Sequence, residues 1–406
     1  MKLLIYADTP TCNTGFGIVS RNIITQLLEK IPDIEIEVLG INESGEHSDL
    51  RRHPRLIIHP AFDGRELHGR FKLIKFLSED RFDQVLIIHD IVTMVQALDP
   101  NGDGVASAIE KIKPFTKARY HFYFPIDSKF ELDKNYDWLR KLNAFDTLIP
   151  YTYFAKEQMK IAGIKTAEPM YHGADTSVFY PKGRAERKRL KKELFEAKSD
   201  TKIISIIARN QWRKDIPASI AIFAEYNKKI NSNSKLYIHS RLVDVGGNLK
   251  QYLDLHNLEE GKDYLTAKDL NPANGVDESS LNDIYNASDL LLSSARGEGF
   301  GLPYLEAMAT KTLIMANNSS VEEELLPMEY WHWHNSYTYV PSGQDGLPFF
   351  RATVDEFWAV ACQIEKLFKK DTDELTSIKE KAYNRIKEDF DWSKEIEKLV
   401  KILVKN

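Results

Sequence analysis

The chain of 406 residues is too long for a single hydrophobic core, so two domains are expected. Hydrophobic residues make up 43% and charged residues 28%, which is the composition of an ordinary globular protein and excludes a disordered or fibrous one. The net charge of −5 gives no general attraction to nucleic acid or to an anionic membrane.

The cysteines and the first residues indicate a cytoplasmic protein. Cys12 and Cys362 stand far apart and outside any metal or redox spacing, which favours two buried thiols in a reducing compartment. Residues 1–7 are followed at once by Asp8 and Pro10, which indicates a short strand and a loop rather than a signal peptide. No apolar run approaches the roughly 20 residues that a membrane span needs.

Apolar runs of strand length recur through the first half of the chain, with helical patterns between several of them. Strands are predicted at 2–7, 34–41, 55–59, 84–89, 119–125 and 147–151. This alternation predicts a parallel, doubly wound sheet, in which ligands bind beyond the carboxyl ends of the strands. Two of those ends carry polar residues, His89-Asp90 and Asp127-Ser128. Without a ligand, His89 would be a hydrogen-bonded strand-end histidine and Asp127 a turn or helix cap.

The loop after the first strand contains Gly15 and Gly17 and precedes a helix predicted at 18–30. A dinucleotide fingerprint would need a third glycine where this chain has Ser20, which argues against an NAD enzyme. The two glycines suit either a backbone that approaches a ligand closely or a plain tight turn.

The second half repeats the alternation. Strands are predicted at 203–207, 235–239, 263–267, 290–294 and 312–316, and helices at 217–230, 281–287, 354–370, 373–390 and 393–405. Arg209 and Lys214 follow the first of these strands, five residues apart, and could converge on two phosphates. Arg213 could replace Lys214 in that role, and surface cations without a ligand are the plain alternative.

Two further patterns have plain explanations. The basic run 182–193 could track phosphates or a membrane surface, but the solvated face of a helix is favoured. His332 and His334 would share a strand face and suggest a two-histidine metal site. No carboxylate or third ligand lies at a motif spacing, so we favour an aromatic-rich strand and predict no metal site.

The most informative stretch runs from Arg296 to Ala309. A buried strand precedes it, glycines crowd its first part, and Pro303 suits the first residue of a helix. The free N–H groups at such a helix start suit a phosphate. Glu298 and Glu306, with seven residues between them, could accept hydrogen bonds from paired hydroxyl groups of one ligand.

Glu298 and Glu306, with the Gly-Phe-Gly-Leu-Pro and Glu-Ala-Met-Ala sequences around them, resemble the Glu-x7-Glu signature of the family 4 retaining glycosyltransferases. Residues 170–181 resemble the segment that leads into this family's interdomain linker, and Asp391-Trp392-Ser393 resembles its Phe-Ser-Trp element. The resemblance implies an α/β protein with the GT-B fold, in which two Rossmann-like domains face each other across a cleft. It also implies that the last helix crosses back to the first domain.

The domains implied are an acceptor-side domain at 1–181, a nucleotide-sugar domain at 182–385 and the returning helix at 386–406. The implied activity is transfer of a sugar from a nucleoside diphosphate sugar, UDP or GDP being favoured, to a hydroxyl of a glycan, lipid-linked or other acceptor, with retention at the anomeric carbon. No cofactor and no metal ion are implied. The Arg-Asn-x-x-Arg-Lys and Gly-Phe-Gly sequences suggest a branch of the family that includes viral members. If the protein is viral, the cytoplasm expected for it is that of the host.

The resemblance also assigns roles to residues. Glu298 would hold the sugar hydroxyls, Glu306 the ribose, and Arg209 and Lys214 the diphosphate. The remaining donor-binding candidates, which would act chiefly through their backbone, are Gly15, Gly17, Gly299, Phe300, Gly301 and Leu302. Many family members carry a histidine on the first domain that contacts the sugar; this chain departs from them, and Asp127 is the nearest polar candidate there.

Other functions stay open at this stage. The same cleft could serve a GT-B nucleotide-sugar epimerase or phosphorylase, or an inactive protein that binds a nucleotide sugar or DNA. The charge of the chain does not support a nucleic-acid acceptor. The Lys-rich last helix leaves a peripheral membrane contact open.

Overall fold

The computed structural model describes residues 1–43, 49–62, 64, 68–95, 104–130, 132, 135–267, 270, 276–332, 337–339, 350–352 and 356–405. Within this part of the chain the elements form two parallel six-stranded sheets with helices around them. The alternation of strands and helices predicted from the sequence is confirmed.

The first sheet has the order β3-β2-β1-β4-β5-β6, and all its pairs are parallel. Its strands are β1 (Lys2–Asp8), β2 (Glu35–Ile41), β3 (Leu56–Pro60), β4 (Gln84–Ile88), β5 (Arg119–Phe124) and β6 (Thr147–Pro150). The helices of this half are α1 (Gly15–Lys30), α2 (Arg70–Ser78), α3 (Ile91–Val95), α4 (Val105–Ile112) and α5 (Tyr153–Ile161).

Strand β1 shows why this sheet needs helices on both faces. Its side chains alternate between two separate hydrophobic clusters: Leu3, Ile5 and Ala7 belong to one, and Leu4 and Tyr6 to the other. Side chains on one strand point to opposite faces in turn, so both faces of the sheet are covered. The carboxyl edge is therefore the part of the sheet that is free to meet a ligand.

The second sheet has the order β11-β8-β7-β12-β13-β14, again all parallel. Its strands are β7 (Lys202–Ile207), β8 (Ser234–His239), β11 (Tyr264–Thr266), β12 (Leu290–Ser293), β13 (Leu313–Asn317) and β14 (Trp331–His332). Two short antiparallel hairpins lie outside it, β9 (Val243–Asp244) with β10 (Gly247–Asn248), and β15 (Tyr337–Tyr339) with β16 (Phe350–Ala352).

Nine helices accompany the second half within the described residues. They are α6 (Arg184–Phe195), α7 (Ile216–Lys229), α8 (Leu249–Leu255), α9 (Glu278–Ala287), α10 (Leu302–Ala309), α11 (Glu322–Leu325), α12 (Phe357–Phe368), α13 (Thr372–Glu388) and α14 (Trp392–Val404). Helix α12 begins three residues later than predicted, and 353–355 lie outside the described residues.

Helix α14 crosses back and packs against α1 of the first half. Lys30 on α1 pairs with Glu397 on α14. Near the end of α14, Gln84 Nε2 donates to the carbonyl of Leu403 at 3.0 Å. The helix buries Ile396, Leu399 and Leu403, which share one face, whereas Val404 is exposed.

A second contact between the halves involves Glu324 on α11. Its carboxylate accepts hydrogen bonds from the backbone N–H groups of Tyr153 at 2.7 Å and Phe154 at 2.8 Å, which begin α5. The hydroxyl of Tyr171 donates to the same carboxylate at 2.7 Å. A side chain of the second half thus caps a helix of the first.

Three smaller predictions have mixed outcomes. Cys12 is buried, but Cys362 is only partly buried, so the expectation of two buried thiols is wrong for Cys362. Most of the basic run forms an exposed face of α6, although Lys191 is buried. Strand β14 ends at His332, and His334 lies outside the described residues.

None of the described helices combines the length and apolar character needed to cross a membrane.

Candidate active site

The glycine-rich loop after β12 lies directly against the loop after β5, so the carboxyl edges of the two sheets meet here. A methyl group on Gly297 would overlap the main-chain oxygen of Asp127, and one on Gly299 would overlap the ring of Pro125. Across the same junction, a methyl group on Gly15 would lie 4.0 Å from Leu302 Cδ1. Glycine at 297 and 299 is therefore required by a close approach of two backbones.

At two more positions, glycine is required by the local backbone or by close packing. Gly301 has a φ of +88° and caps the start of α10, a conformation that suits glycine. Gly17 packs against Cys12, whose backbone oxygen and sulfur would each lie 2.6 Å from an added methyl group. Its N–H donates to Thr14 Oγ1 at 3.0 Å, which caps α1. Packing and capping account for Gly17 without a ligand, whereas Gly15 faces the other half of the chain.

Glu298 is buried between two cations. It is 6% exposed, and its carboxylate accepts one bond from Lys214 Nζ and one from Arg213 Nη1, the latter at 3.1 Å. Arg213 Nη1 also donates to the carbonyl of Gly297 at 2.8 Å. The Glu298 N–H donates to Ser320 Oγ at 2.8 Å, which fixes the backbone of the loop.

Arg213 links this cluster to the first half of the chain, because its Nε lies 3.3 Å from Asp127 Oδ2. Asp127 also accepts a bond from Ser128 Oγ at 2.9 Å. Sequence analysis suggested Arg213 only as a substitute for Lys214, but the structure brings both side chains to Glu298. The resulting set of Asp127, Arg213, Lys214 and Glu298 is called the junction cluster below.

Charge and burial set the ionisation of the junction cluster. Burial raises the pKa of Glu298, but the charges of Lys214 and Arg213 outweigh it and hold the pKa below its ordinary value. Burial, together with the charge of Arg213, lowers the pKa of the Lys214 ammonium. Glu298 is therefore a carboxylate at neutral pH, held by a buried ammonium and a guanidinium.

Arg209 does not join the junction cluster. Its side chain is 60% exposed, and its Nε donates to Asp244 Oδ2 at 3.1 Å on the β9–β10 hairpin. The predicted convergence of Arg209 and Lys214 is absent from this arrangement of the described residues. The sequence offered no sign of the hairpin, whose strands are two residues long.

Glu306 lies in a very different environment from Glu298. It is 8% exposed, and the hydroxyl of Tyr285 donates to it at 2.7 Å. Burial raises the pKa of its carboxyl to about 7. Its assignment to a ribose stays a prediction.

Phe300 is placed by packing. Its ring is buried, with its centroid 4.3 Å from that of His172 and 6.0 Å from that of Tyr171. Any contact of Phe300 with a ligand in this arrangement would have to use its backbone.

Helix α10 begins beyond Gly301, next to Glu298 in the chain. Pro303 has no N–H, and the N–H of Tyr304 donates to the carbonyl of Gly301 at 2.9 Å, so an anion here would be favoured chiefly by the dipole of the helix. A small pocket opens beside this helix start, lined among others by Lys214, Ser293, Glu298, Pro303 and Tyr304.

Several residues at the edge of the first sheet were missed or only partly recognised from sequence. His89 stacks on Phe16, with ring centroids 5.6 Å apart, and its Nδ1 lies 2.9 Å from Asp90 Oδ2. Asp8 accepts a bond from the Thr14 hydroxyl, and burial raises the pKa of its carboxyl. Asp8 ends β1, so the rule that ligands bind beyond strand ends could have identified it.

Residues 187–335 match the model of the glycosyl transferases group 1 family. The matched region contains all of the second sheet and the Gly297–Gly301 loop. A comparison with curated proteins finds no match.

Solved structures resemble the whole chain. HepE of Anabaena, in complex with UDP-glucose, is 14% identical over 99% of both chains, with a TM-score of 0.67. Sucrose-phosphate synthase of Thermosynechococcus elongatus is 14% identical over 99% of this chain and 97% of its own, with a TM-score of 0.70. A glycosyltransferase from Rickettsia africae is 15% identical over the same shares, with a TM-score of 0.67. At such identities the likeness shows the fold, and the predicted α/β GT-B fold is confirmed.

Proposed function

We propose that the chain is a glycosyltransferase that moves a sugar from a nucleoside diphosphate sugar to an acceptor hydroxyl with retention at the anomeric carbon. The observation that carries the proposal is the junction cluster, where a buried carboxylate and two partly buried cations adjoin a helix start between two facing sheets. The match of 187–335 to a glycosyltransferase family model supports it. HepE was solved with UDP-glucose, so a UDP-sugar is the first donor to test, with GDP-sugars next.

The charges suggest what each group does. When the bond from the anomeric carbon to the diphosphate oxygen breaks, negative charge grows on the departing diphosphate and positive charge on the sugar ring. Lys214, Arg213 and the start of α10 would stabilise the diphosphate, in place of the metal that other transferases use. Once phosphate pairs with these cations, Glu298 is released to accept hydrogen bonds from sugar hydroxyls. The acceptor oxygen then bonds to the anomeric carbon, and its proton leaves with the diphosphate or another base.

The other residues have proposed roles around this centre. Arg209 would leave Asp244 to reach the diphosphate, Glu306 would hold the ribose, and the backbone from Gly299 to Leu302 would face the donor. Asp127 and Gly15 would approach the transferred sugar or the acceptor from the first domain. The proposed domain bounds are 1–181 and 182–385, with 386–406 returning to the first. Closure of the two domains would exclude water and suppress hydrolysis of the donor.

A donor screen followed by a transfer assay tests the proposal. UDP-, GDP-, ADP- and dTDP-sugars are compared by thermal shift with excess chelator, because a ligand that binds only the folded chain raises its melting temperature. The donor that binds is then incubated with glycan and lipid-linked acceptors, and the anomeric configuration of the product is determined by NMR. We expect donor binding to be unaffected by the chelator and the product to retain configuration.

Other outcomes would replace the proposal. Conversion of the donor sugar without an acceptor would indicate an epimerase, and release by inorganic phosphate a phosphorylase. Tight donor binding with no turnover on any acceptor would indicate an inactive binding protein. Inversion at the anomeric carbon would contradict retention but would leave the assignment as a glycosyltransferase in place.

A further inference from the structure

A second buried carboxyl group lies behind the junction cluster, that of Glu322 at the start of α11. Its side chain is 0% exposed, and the pocket beside Glu298 is lined by other residues. Burial raises the pKa of this carboxyl to about 7, and the negative charge of Glu298 acts in the same direction. Burying a carboxyl group costs free energy unless hydrogen bonds satisfy its oxygens, so the partners of Glu322 indicate what it does.

One oxygen of Glu322 holds the segment that follows β13. Its Oε2 accepts hydrogen bonds from the N–H groups of Ser319 at 3.0 Å and Ser320 at 2.8 Å. The hydroxyl of Ser320 in turn accepts a bond from the N–H of Glu298 at 2.8 Å and donates to the carbonyl of Glu298 at 2.9 Å. Glu322 therefore holds Ser320, and Ser320 holds both hydrogen-bonding groups of the Glu298 backbone.

The other oxygen of Glu322 reaches residues that line the pocket. The hydroxyl of Tyr304, in the first turn of α10, donates to Oε1 at 3.2 Å and lies 3.0 Å from Ser293 Oγ at the end of β12. Tyr304 and Ser293 line the pocket together with Glu298. The carboxyl group of Glu322 thus connects the Glu298 loop to the start of α10.

These bonds become important when a donor is bound. In the structure Lys214 and Arg213 hold the carboxylate of Glu298, but phosphate would draw both cations away from it. The position of Glu298 then depends on its backbone. We propose that Glu322, acting through Ser320, is a positioning residue that keeps Glu298 directed at the transferred sugar. The effect on catalysis rests on the proposed glycosyl transfer, whereas the effect on the loop does not.

Hydrogen exchange in the unliganded full chain tests the effect on the loop. Ser320→Ala removes the hydroxyl that holds Glu298. Ser319→Ala is the matched control, because the hydroxyl of this buried serine lies 3.3 Å from Glu322 Oε1 and does not hold the Glu298 backbone. The peptide that covers 296–300 should exchange about tenfold faster in Ser320→Ala than in the control or the parent, since the N–H of Glu298 has lost its partner.

Glu322→Met and Glu322→Gln separate the hydrogen bonds of Glu322 from its charge. The amide oxygen of glutamine can still accept bonds from the N–H groups of Ser319 and Ser320, whereas the thioether of methionine is a weak acceptor. Exchange at 296–300 should therefore rise in the methionine variant and stay near that of the parent in the glutamine variant. An equal rise in both would contradict a role for the hydrogen bonds. If the methionine variant fails to fold, the comparison of Ser320→Ala with Ser319→Ala decides.

Kinetics show whether the loop acts on the reaction. We expect Ser320→Ala to lower kcat about tenfold and to change the KM for the donor less than about threefold, because a misplaced Glu298 affects the transition state more than the bound nucleotide. Ser319→Ala should keep a kcat close to that of the parent. In a Glu298→Gln background, Ser320→Ala should lower kcat less than about threefold further, since the carboxylate that it positions is absent.

Equal exchange at 296–300 in Ser320→Ala and Ser319→Ala would overturn the proposal. The positioning role would also be overturned by faster exchange with an unchanged kcat, or by a loss of kcat that is as large in the Glu298→Gln background as in the parent. In either case the bonds of Ser320 would serve stability alone. If the parent transfers no sugar while exchange behaves as expected, the proposed glycosyl transfer fails, and with it the effect on catalysis, but the effect on the loop stands.

Discussion

At the scale of single residues, Glu298 and Glu306 show how one sequence pattern can place two carboxyl groups in opposite conditions. Glu298 is held by Lys214 and Arg213, which keep its pKa low. Glu306 has the hydroxyl of Tyr285 beside it, and burial raises its pKa to about 7. The first is a fixed negative charge at neutral pH, and the second can exist in either form.

Glu298→Gln is expected to lower kcat by about tenfold or more while nucleoside diphosphate affinity stays equal or improves. The amide cannot stabilise charge on the sugar ring, yet it no longer competes with phosphate for Lys214 and Arg213. Steady-state kinetics and nucleotide displacement measure the two effects separately. Glu260→Gln, at an exposed position, is the control. A kcat within about threefold of the parent would remove Glu298 from the reaction.

Lys214→Met is expected to weaken nucleoside diphosphate binding by about 1.5–3 kcal/mol, the usual range for a hydrogen bond to a charged group. Binding of the free nucleoside should barely change, because it has no phosphate. Competition at millimolar ligand measures both. Arg209→Met should show the same selective loss if Arg209 leaves Asp244 in the donor complex. Equal losses for nucleoside and nucleotide would contradict the diphosphate assignment.

Glu306→Gln is expected to change how stability depends on pH. The pKa of Glu306 is raised from 4.5 to about 7 on folding, so between these values the unfolded chain has lost its proton while the folded chain retains it. The free energy of unfolding of the parent therefore falls as the pH rises through this window. The melting temperature of the variant relative to the parent should increase from pH 5 to pH 8. A difference that does not vary with pH would contradict the raised pKa.

The sequence located Glu298, Lys214 and Asp127 as candidates, but not the contact that joins them. Arg213 bridges residues more than 80 positions away on either side, and no spacing rule relates such partners. Arg209 was paired with Lys214 because both follow β7, whereas the structure pairs it with Asp244. That partner comes from a hairpin too short to leave a periodic pattern.

At the scale of elements, the glycine-rich loop between β12 and α10 joins the two sheets. Gly297 and Gly299 of this loop allow a close approach to Pro125 and Asp127 of the first half. The start of α10 beyond the loop lies beside Lys214 and Glu298 of the junction cluster, where the dipole of the helix favours an anion. The loop therefore positions the candidate site and connects the sheets at the same time.

Gly297→Ala is expected to lower the melting temperature by several degrees and to weaken donor binding. The added methyl group overlaps the backbone oxygen of Asp127, which cannot rotate away, and such overpacking costs about 1–3 kcal/mol. Gly183→Ala is the matched control, because nothing lies within 4 Å of its added methyl group. If both variants melt like the parent, the two loops do not touch in solution.

The order of elements was predictable because buried parallel strands appear as apolar runs between helical patterns. The order of strands within each sheet was not, since it depends on which crossovers pack together. The contact of Glu324 with α5 could not be predicted from the sequence either. It relies on the free N–H groups of a helix start 171 positions away from the carboxylate that caps them.

At the scale of the whole molecule, Glu324 and α14 are two separate attachments between the halves. Glu324→Ala is expected to leave the first N–H groups of α5 without their partner, a loss of about 1 kcal/mol for a typical helix cap. The halves should then separate more readily, which small-angle scattering would record as a larger radius of gyration. Glu323→Ala, at the exposed neighbouring position, is the control. Unchanged scattering and melting in Glu324→Ala would show that the cap does not hold the halves together.

Helix α14 also bears on the order in which the molecule is built. Its partner α1 is synthesised before any strand of the second sheet, but residues 392–404 follow only after the entire second sheet has been synthesised. Domains usually fold in the order of their synthesis. The first sheet can therefore begin to fold while the second half of the chain is still being synthesised. During that time α14 is missing, so the apolar surface of α1 that α14 covers stays exposed to other nascent chains. The half that starts folding first is the half completed last.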